Sequence, residues 1–218
     1  MLFSFIKKFN IGVDFGKLNF LIGIFLLPSA FSISLIFLLT SLIISTYKNK
    51  GYILTDRYNI ILIFASFLLI ISSAVHSLKN EFALNYNWDI SLSWIGLANW
   101  IPLFWCFYGF QYYAETPNER KNIALVLLSG TFPVIISGIG QSFFNWNGPF
   151  KTLGGIVVWY QRPLENITGL TGLFNNPNYA GIWLNLIWPF CLAFLIINRK
   201  SIFQLLPSFL FTFGISLT

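Results

Sequence analysis

Apolar runs of about 20 residues recur along this chain, and each is long enough to cross a hydrocarbon core of ~30 Å as an α-helix. They extend from Leu18 to Thr46, Tyr58 to Ser77, Trp94 to Tyr113, Ile123 to Phe143, Pro177 to Ile197 and Ile202 to Thr218. Such runs leave no room for a polar exterior. With 56% hydrophobic and 9% charged residues and a mean hydropathy of +0.71, the chain is far from the roughly 25% charged content of soluble domains. The sequence predicts an all-α, polytopic transmembrane helical bundle. Residues 1–218 read as a single transmembrane domain of about seven membrane segments, the last cut short.

The count of seven depends on Leu18–Thr46, which is long for one helix and short for two. Basic residues arbitrate, because Lys and Arg gather in cytoplasmic loops. Lys7, Lys8 and Lys17 precede the run, and Lys48, Lys50 and Arg57 follow it. Both flanks are then cytoplasmic, and the run is a hairpin turning near Leu27-Pro28-Ser29 with short or tilted arms. A single helix would place the N-terminal lysines outside. Alternation puts Lys79, Glu81 and Asp89 outside, Arg120 and Lys121 inside, Lys151 and Arg162 outside, and Arg199 and Lys200 inside. Ten of the 13 Lys and Arg residues then face the cytoplasm. The same bias accounts for the net charge of +6 without a nucleic-acid partner.

The N-terminus lacks a secretory signal layout, since Lys7 and Lys8 break its apolar run. Its Phe and Ile residues between lysines suit a segment lying on cytoplasmic headgroups. Cys106 and Cys191 sit inside apolar runs and behave as small hydrophobes. With no Cys/His cluster, neither a disulfide framework nor a metal site is expected. The last run ends at Thr218 without a polar flank, which predicts that the sequence belongs to a longer protein.

Two extracytoplasmic loops are expected, at about 78–93 and 144–176. The second is rich in Gly, Trp, Tyr and Phe, a composition suited to the outer membrane interface. It ends in Asn175-Asn176-Pro177-Asn178. Pro177 fits the first helical position, where its missing N–H costs nothing, and Asn176 fits the cap, accepting a backbone N–H. The positive end of that helix faces the loop and suits an anion. Arg162 is the nearest cation upstream and a good partner for phosphate. Asn-Pro is also an ordinary helix start, and a loop Arg beside Pro163 is often simply solvated.

Gly169 to Phe190, GLTGLFNNPNYAGIWLNLIWPF, resembles the region of the O-antigen ligase and polymerase superfamily that reads Gly-x-Phe-x-Asn-Pro-Asn before a small-residue helix. Leu27–Ala30 and Ser137–Phe150, SGIGQSFFNWNGPF, are similar to its cyanobacterial branch. The resemblance implies a glycosyltransferase of the bacterial inner (plasma) membrane. Such enzymes move a glycan from an undecaprenyl diphosphate carrier to an acceptor hydroxyl on the extracytoplasmic side. It also implies arginines on the donor diphosphate, here Arg162 with Asn175, Asn176 and Asn178, and no metal or other cofactor. Membrane lipid and the lipid-linked glycan are the implied partners. The family's Ser-Arg-Gly segment would be expected just after Ser216-Leu217-Thr218, and its large His-bearing loop further on. No catalytic residue is therefore assigned within this chain.

Other residues have plainer readings. His76 ends an apolar run at the interface, Asp89 and Glu165 are loop charges, and Asn166-Ile167-Thr168 is a chance glycosylation match. Pro28, Pro102, Pro133, Pro189 and Pro207 fall in or beside apolar runs and can kink helices that repack around them. Asn99, Gln111, Gln141 and Asn185 add neutral polar groups. Broken helices also serve transporters, so a carrier or accessory protein for a small anion such as bicarbonate is the alternative function, and a non-catalytic remnant a third. Against transport stands the lack of any ionisable residue centred in a segment.

Overall fold

The computed structural model describes residues 14–52, 55–78, 91–164 and 169–197. Expectations for the N-terminal segment, the loop carrying Lys79, Glu81 and Asp89, the stretch from Glu165 to Thr168, and the run from Ile202 lie outside those residues. The described residues are mostly helical: α1 (Phe15–Leu26), α2 (Phe31–Lys48), α3 (Arg57–Leu78), α4 (Ser91–Gln111), α5 (Pro117–Phe144) and α6 (Pro177–Ile197). A small antiparallel hairpin, β1 (Phe150–Thr152) and β2 (Val157–Trp159), follows α5. Three of the described helices, α2, α3 and α5, are long and apolar enough to cross a membrane. Contacts group the chain into two units, Met1–Ser41 with Thr116–Thr218, and Leu42–Glu115.

In the first unit, the run from Leu18 breaks after Leu26, and the chain reverses. Ser34 Oγ donates to the Gly23 carbonyl at 2.7 Å, and a Cβ on Gly23 would fall 2.7 Å from the Leu38 side chain. α1 and α2 are therefore the two arms of a hairpin, as the flanking charges predicted. α1 runs in the same direction as α5. Near their starts Lys17 Nζ meets Glu119 Oε1 at 2.6 Å, and further along a Cβ on Gly130 would lie 2.4 Å from the Phe25 carbonyl oxygen. Gly130 lets the two backbones touch, the usual use of small residues between membrane helices.

α5 starts six residues earlier than its apolar run, at Pro117. Thr116 and Glu119 form a capping box that satisfies two free N–H groups, so hydropathy alone placed the start too late. α6 returns antiparallel along α5. Ile187 and Cys191 are buried against Leu127, Leu128, Ile135 and Trp183, and the Trp183 indole donates to Thr131 Oγ1 at 3.1 Å.

In the second unit α3 and α4 form an antiparallel pair, with Ser73 Oγ donating to the Ser93 carbonyl at 3.0 Å. Asp56 Oδ1 accepts from Tyr58 N–H and Asn59 N–H at the start of α3. Gly109 of α4 lies against Leu42 and Ser45. Pro102, Pro133 and Pro189 fall inside α4, α5 and α6, each of which continues past its proline.

The burial pattern is reversed from that of a water-soluble fold. Fully buried positions include Ser34, Ser41, Ser45 and Thr131, while Ile36, Ile43, Phe64, Phe67 and Ile136 are exposed. An apolar exterior over small, hydroxyl-bearing contacts is stable only in an apolar solvent. The fold is that of a membrane-associated helical protein.

Replacing Gly130 with Val forces side-chain atoms into the Phe25 backbone, and overpacking of this kind costs about 1–3 kcal/mol. Gly181, with nothing within 4 Å of its Cβ position, is the matched control, and Gly181→Ala is expected to be neutral or mildly stabilising. Thermal denaturation in detergent should show a marked drop in midpoint for Gly130→Val only.

Candidate functional site

The described parts of the loop, 145–164 and 169–176, are folded against α5, and one buried amide holds much of them. Gln141, in the last turn of α5, is 1% exposed. Its Oε1 accepts the Thr171 N–H at 3.0 Å and the Gly172 N–H at 3.1 Å. Its Nε2 donates to the Arg162 carbonyl at 2.6 Å and to Thr171 Oγ1 at 3.1 Å. The carboxamide thus behaves like a piece of backbone, pairing two chain segments that lie beside each other. A buried side-chain amide needs such partners, because leaving them unmade carries a desolvation penalty.

The pairing extends on both sides. Tyr160 N–H donates to the Leu173 carbonyl at 3.2 Å, and Arg162 N–H to Thr171 Oγ1 at 3.1 Å. Gln161, 2% exposed, donates through Nε2 to the Ser137 carbonyl at 3.1 Å and to Ser137 Oγ. The Trp159 indole N–H reaches the Ser29 carbonyl at 2.7 Å, tying β2 to the α1–α2 turn. That turn and the Asn145–Asn176 segment therefore share one end of their unit.

These bonds fix Arg162 by its peptide group. Both its N–H and its carbonyl are engaged, while its side chain is exposed and forms no ion pair among the described residues. The α6 start follows the sequence expectation: Asn176 Oδ1 accepts the Asn178 N–H at 2.8 Å, with Pro177 as the first helical residue. Gly169 packs on Pro177, and Phe174 N–H bonds the Thr171 carbonyl, so the strip that clamps Arg162 leads directly into the helix. Asn175 and Asn178 are exposed. Among the described residues no hydrogen bond joins Arg162's guanidinium to Asn175, Asn176 or Asn178.

The β hairpin adds a second cation and two concavities. Its strands pair Phe150 with Trp159, Lys151 with Val158 and Thr152 with Val157, and side chains alternate between its faces. One face, with Phe150, Thr152 and Trp159, joins Pro133, Ile136 and Gln161 in lining a mostly apolar cleft of about 680 Å³. On the other, Lys151, Val158 and Tyr160 line an open depression of about 640 Å³.

The sequence pointed to Arg162 and the Asn-Pro start. Gln141 figured there only as a neutral polar group in an apolar run, and Gln161, Ser137 and Thr171 were given no role, yet these residues pin the loop. The available signal was a glutamine one turn from the end of an apolar helix, since a buried amide must find partners. Comparison with protein-family models, with curated proteins and with solved structures finds no match to this chain.

Replacing Gln141 with Met keeps similar bulk but leaves the Arg162 carbonyl and the Thr171 and Gly172 N–H groups without it. At ~1–3 kcal/mol per unsatisfied buried group, Gln141→Met is expected to release the loop. Limited proteolysis should cut between positions 145 and 176 well before it cuts the parent protein.

Proposed function

We propose that this protein serves as a membrane glycosyltransferase of the O-antigen ligase or polymerase type. The reaction would transfer a glycan from an undecaprenyl diphosphate carrier to an acceptor hydroxyl outside the cytoplasm. The supporting observation is the state of Arg162, with its peptide clamped at both ends by Gln141 and Thr171 and its guanidinium exposed. A cation whose backbone is already held loses only side-chain freedom on binding an anion, and a planar guanidinium suits paired phosphate oxygens. The capped start of α6 offers a second attraction for the same charge, through its free N–H groups and dipole. Asn175, Asn176 and Asn178 line that start in sequence. Together these groups serve the donor side of the reaction, and no residue of this chain is given the catalytic role.

In this reading about seven segments enter the bacterial inner membrane, the short α1 reaching only part of the way across, with the N-terminus cytoplasmic. The contact between Trp159 and the Ser29 carbonyl supports the relative part of that topology. It joins the α1–α2 turn and the Asn145–Asn176 loop, the two regions the charge pattern sends outside.

A charge-assisted bond is worth about 1.5–3 kcal/mol, so Arg162→Ala is expected to weaken binding of an undecaprenyl diphosphate probe in lipid nanodiscs by more than ~10-fold. Arg162→Lys should recover part of the loss, and unchanged affinity in Arg162→Ala would remove the residue from the donor site. Orientation is tested separately with single cysteines in sealed right-side-out vesicles. A membrane-impermeant maleimide should label position 147 and spare position 120; the opposite pattern inverts the topology.

A further inference from the structure

The hairpin sits at a depth that a surface loop would not reach. The apolar part of α5, Ile123 to Phe143, has the ~30 Å length of the hydrocarbon layer. Ser137 precedes Phe143 by six residues, which is about 9 Å of helix. Gln161, two residues beyond β2, hydrogen-bonds both the carbonyl and the hydroxyl of Ser137. Pro133 and Ile136, deeper still, share a cleft with Phe150, Thr152 and Trp159.

α1 explains how the loop can descend. It is 12 residues long, about 18 Å, too short to cross the layer. Its Phe25 carbonyl lies against Gly130, seven residues after Ile123, so the α1–α2 turn comes about 10 Å from the near end of α5's apolar stretch, plus one helical turn. The turn therefore stops near mid-layer, and Trp159 rests on it through the Ser29 carbonyl.

We infer that the hairpin Phe150–Trp159 is re-entrant: it lies within the half of the hydrocarbon layer nearer the C-terminal end of α5, with its tip against lipid chains. The inference rests on α5 being a membrane span. Non-helical backbone is tolerated at such depth where its polar groups are satisfied or face a wet cavity. Here the strands pair with each other, Gly148 N–H bonds the Gln161 carbonyl and Tyr160 N–H the Leu173 carbonyl. Lys151 and Tyr160 face the open depression. The tip carries Leu153 and Ile156, 66% and 58% exposed. Leu153 holds a φ of +50°, where Gly or Asn is the ordinary choice, so an apolar side chain stands there despite the backbone. This exposed tip is continuous in character with the lipid-facing surface of α5, where Phe132 and Ile136 are exposed.

The test is nitroxide labelling of the full chain in liposomes, with Cys106→Ala and Cys191→Ala as background and single cysteines at Leu153, Ile156, Ile136 and Asn147. Collision with oxygen and with a water-soluble nickel chelate reads depth. Labels at Leu153 and Ile156 should match Ile136, with chelate collision several-fold below that at Asn147. If Ile136 is shielded but Leu153 and Ile156 match Asn147, the hairpin lies on the surface and the inference fails alone. A chelate-accessible Ile136 overturns α5 as a span, and the inference with it.

Discussion

The hydrogen bonds of the Gln141 carboxamide are the constraint on which the loop end of this protein depends. A glutamine near the end of an apolar helix has no favourable solvent on either side of it, since lipid cannot bond it and the protein interior must. Here it acts as a short length of artificial strand, accepting from Thr171 and Gly172 and donating to the Arg162 carbonyl. The satisfied amide and the ordered loop are one arrangement. Gln161 repeats the device one step away, on Ser137.

That arrangement separates two properties a loop arginine rarely combines. Its backbone is as restrained as that of a strand residue, while its guanidinium stays exposed. In the proposed donor role, binding an anion would order the side chain alone, and less affinity would be lost to entropy. The same anchoring brings the strip Thr171–Phe174 to the start of α6, so a cation and a helix dipole are set by one short stretch of chain. The β hairpin, hung from the same pairing and from Ser29, brings Lys151 to the opposite face.

Around this end the helices pack by a rule suited to lipid. Glycine and serine stand where helices touch, at Gly23 against Leu38, Gly130 against Phe25 and Ser34 on the Gly23 carbonyl, and large apolar side chains are turned outward. Close backbone contact supplies van der Waals attraction that a hydrophobic effect cannot supply in hydrocarbon. The short α1 lies along α5 through such contact, and the turn after it meets the loop at the Ser29 carbonyl.

The helices were legible in the sequence because hydropathy is a local property. Runs of apolar residues located α2, α3, α4 and α6 to within a few residues, and lysines on both flanks of Leu18–Thr46 distinguished a hairpin from one helix. Asn176-Pro177 announced its own helix start, since a cap needs only its immediate neighbours. The early start of α5 was missed, because its capping box lies in a polar stretch that hydropathy ignores. Arg162 was visible as a lone loop cation, but what holds it was not. Gln141 meets residues 21 and 30 positions away, and no periodicity or composition specifies which buried amide pairs with which loop. The sequence by itself determined a lipid-adapted helical chain with a cation before a capped helix. Tertiary structure alone decided that the loop is pinned to α5 and the α1–α2 turn, because satisfying a buried polar group is settled by whatever the fold brings within hydrogen-bonding distance.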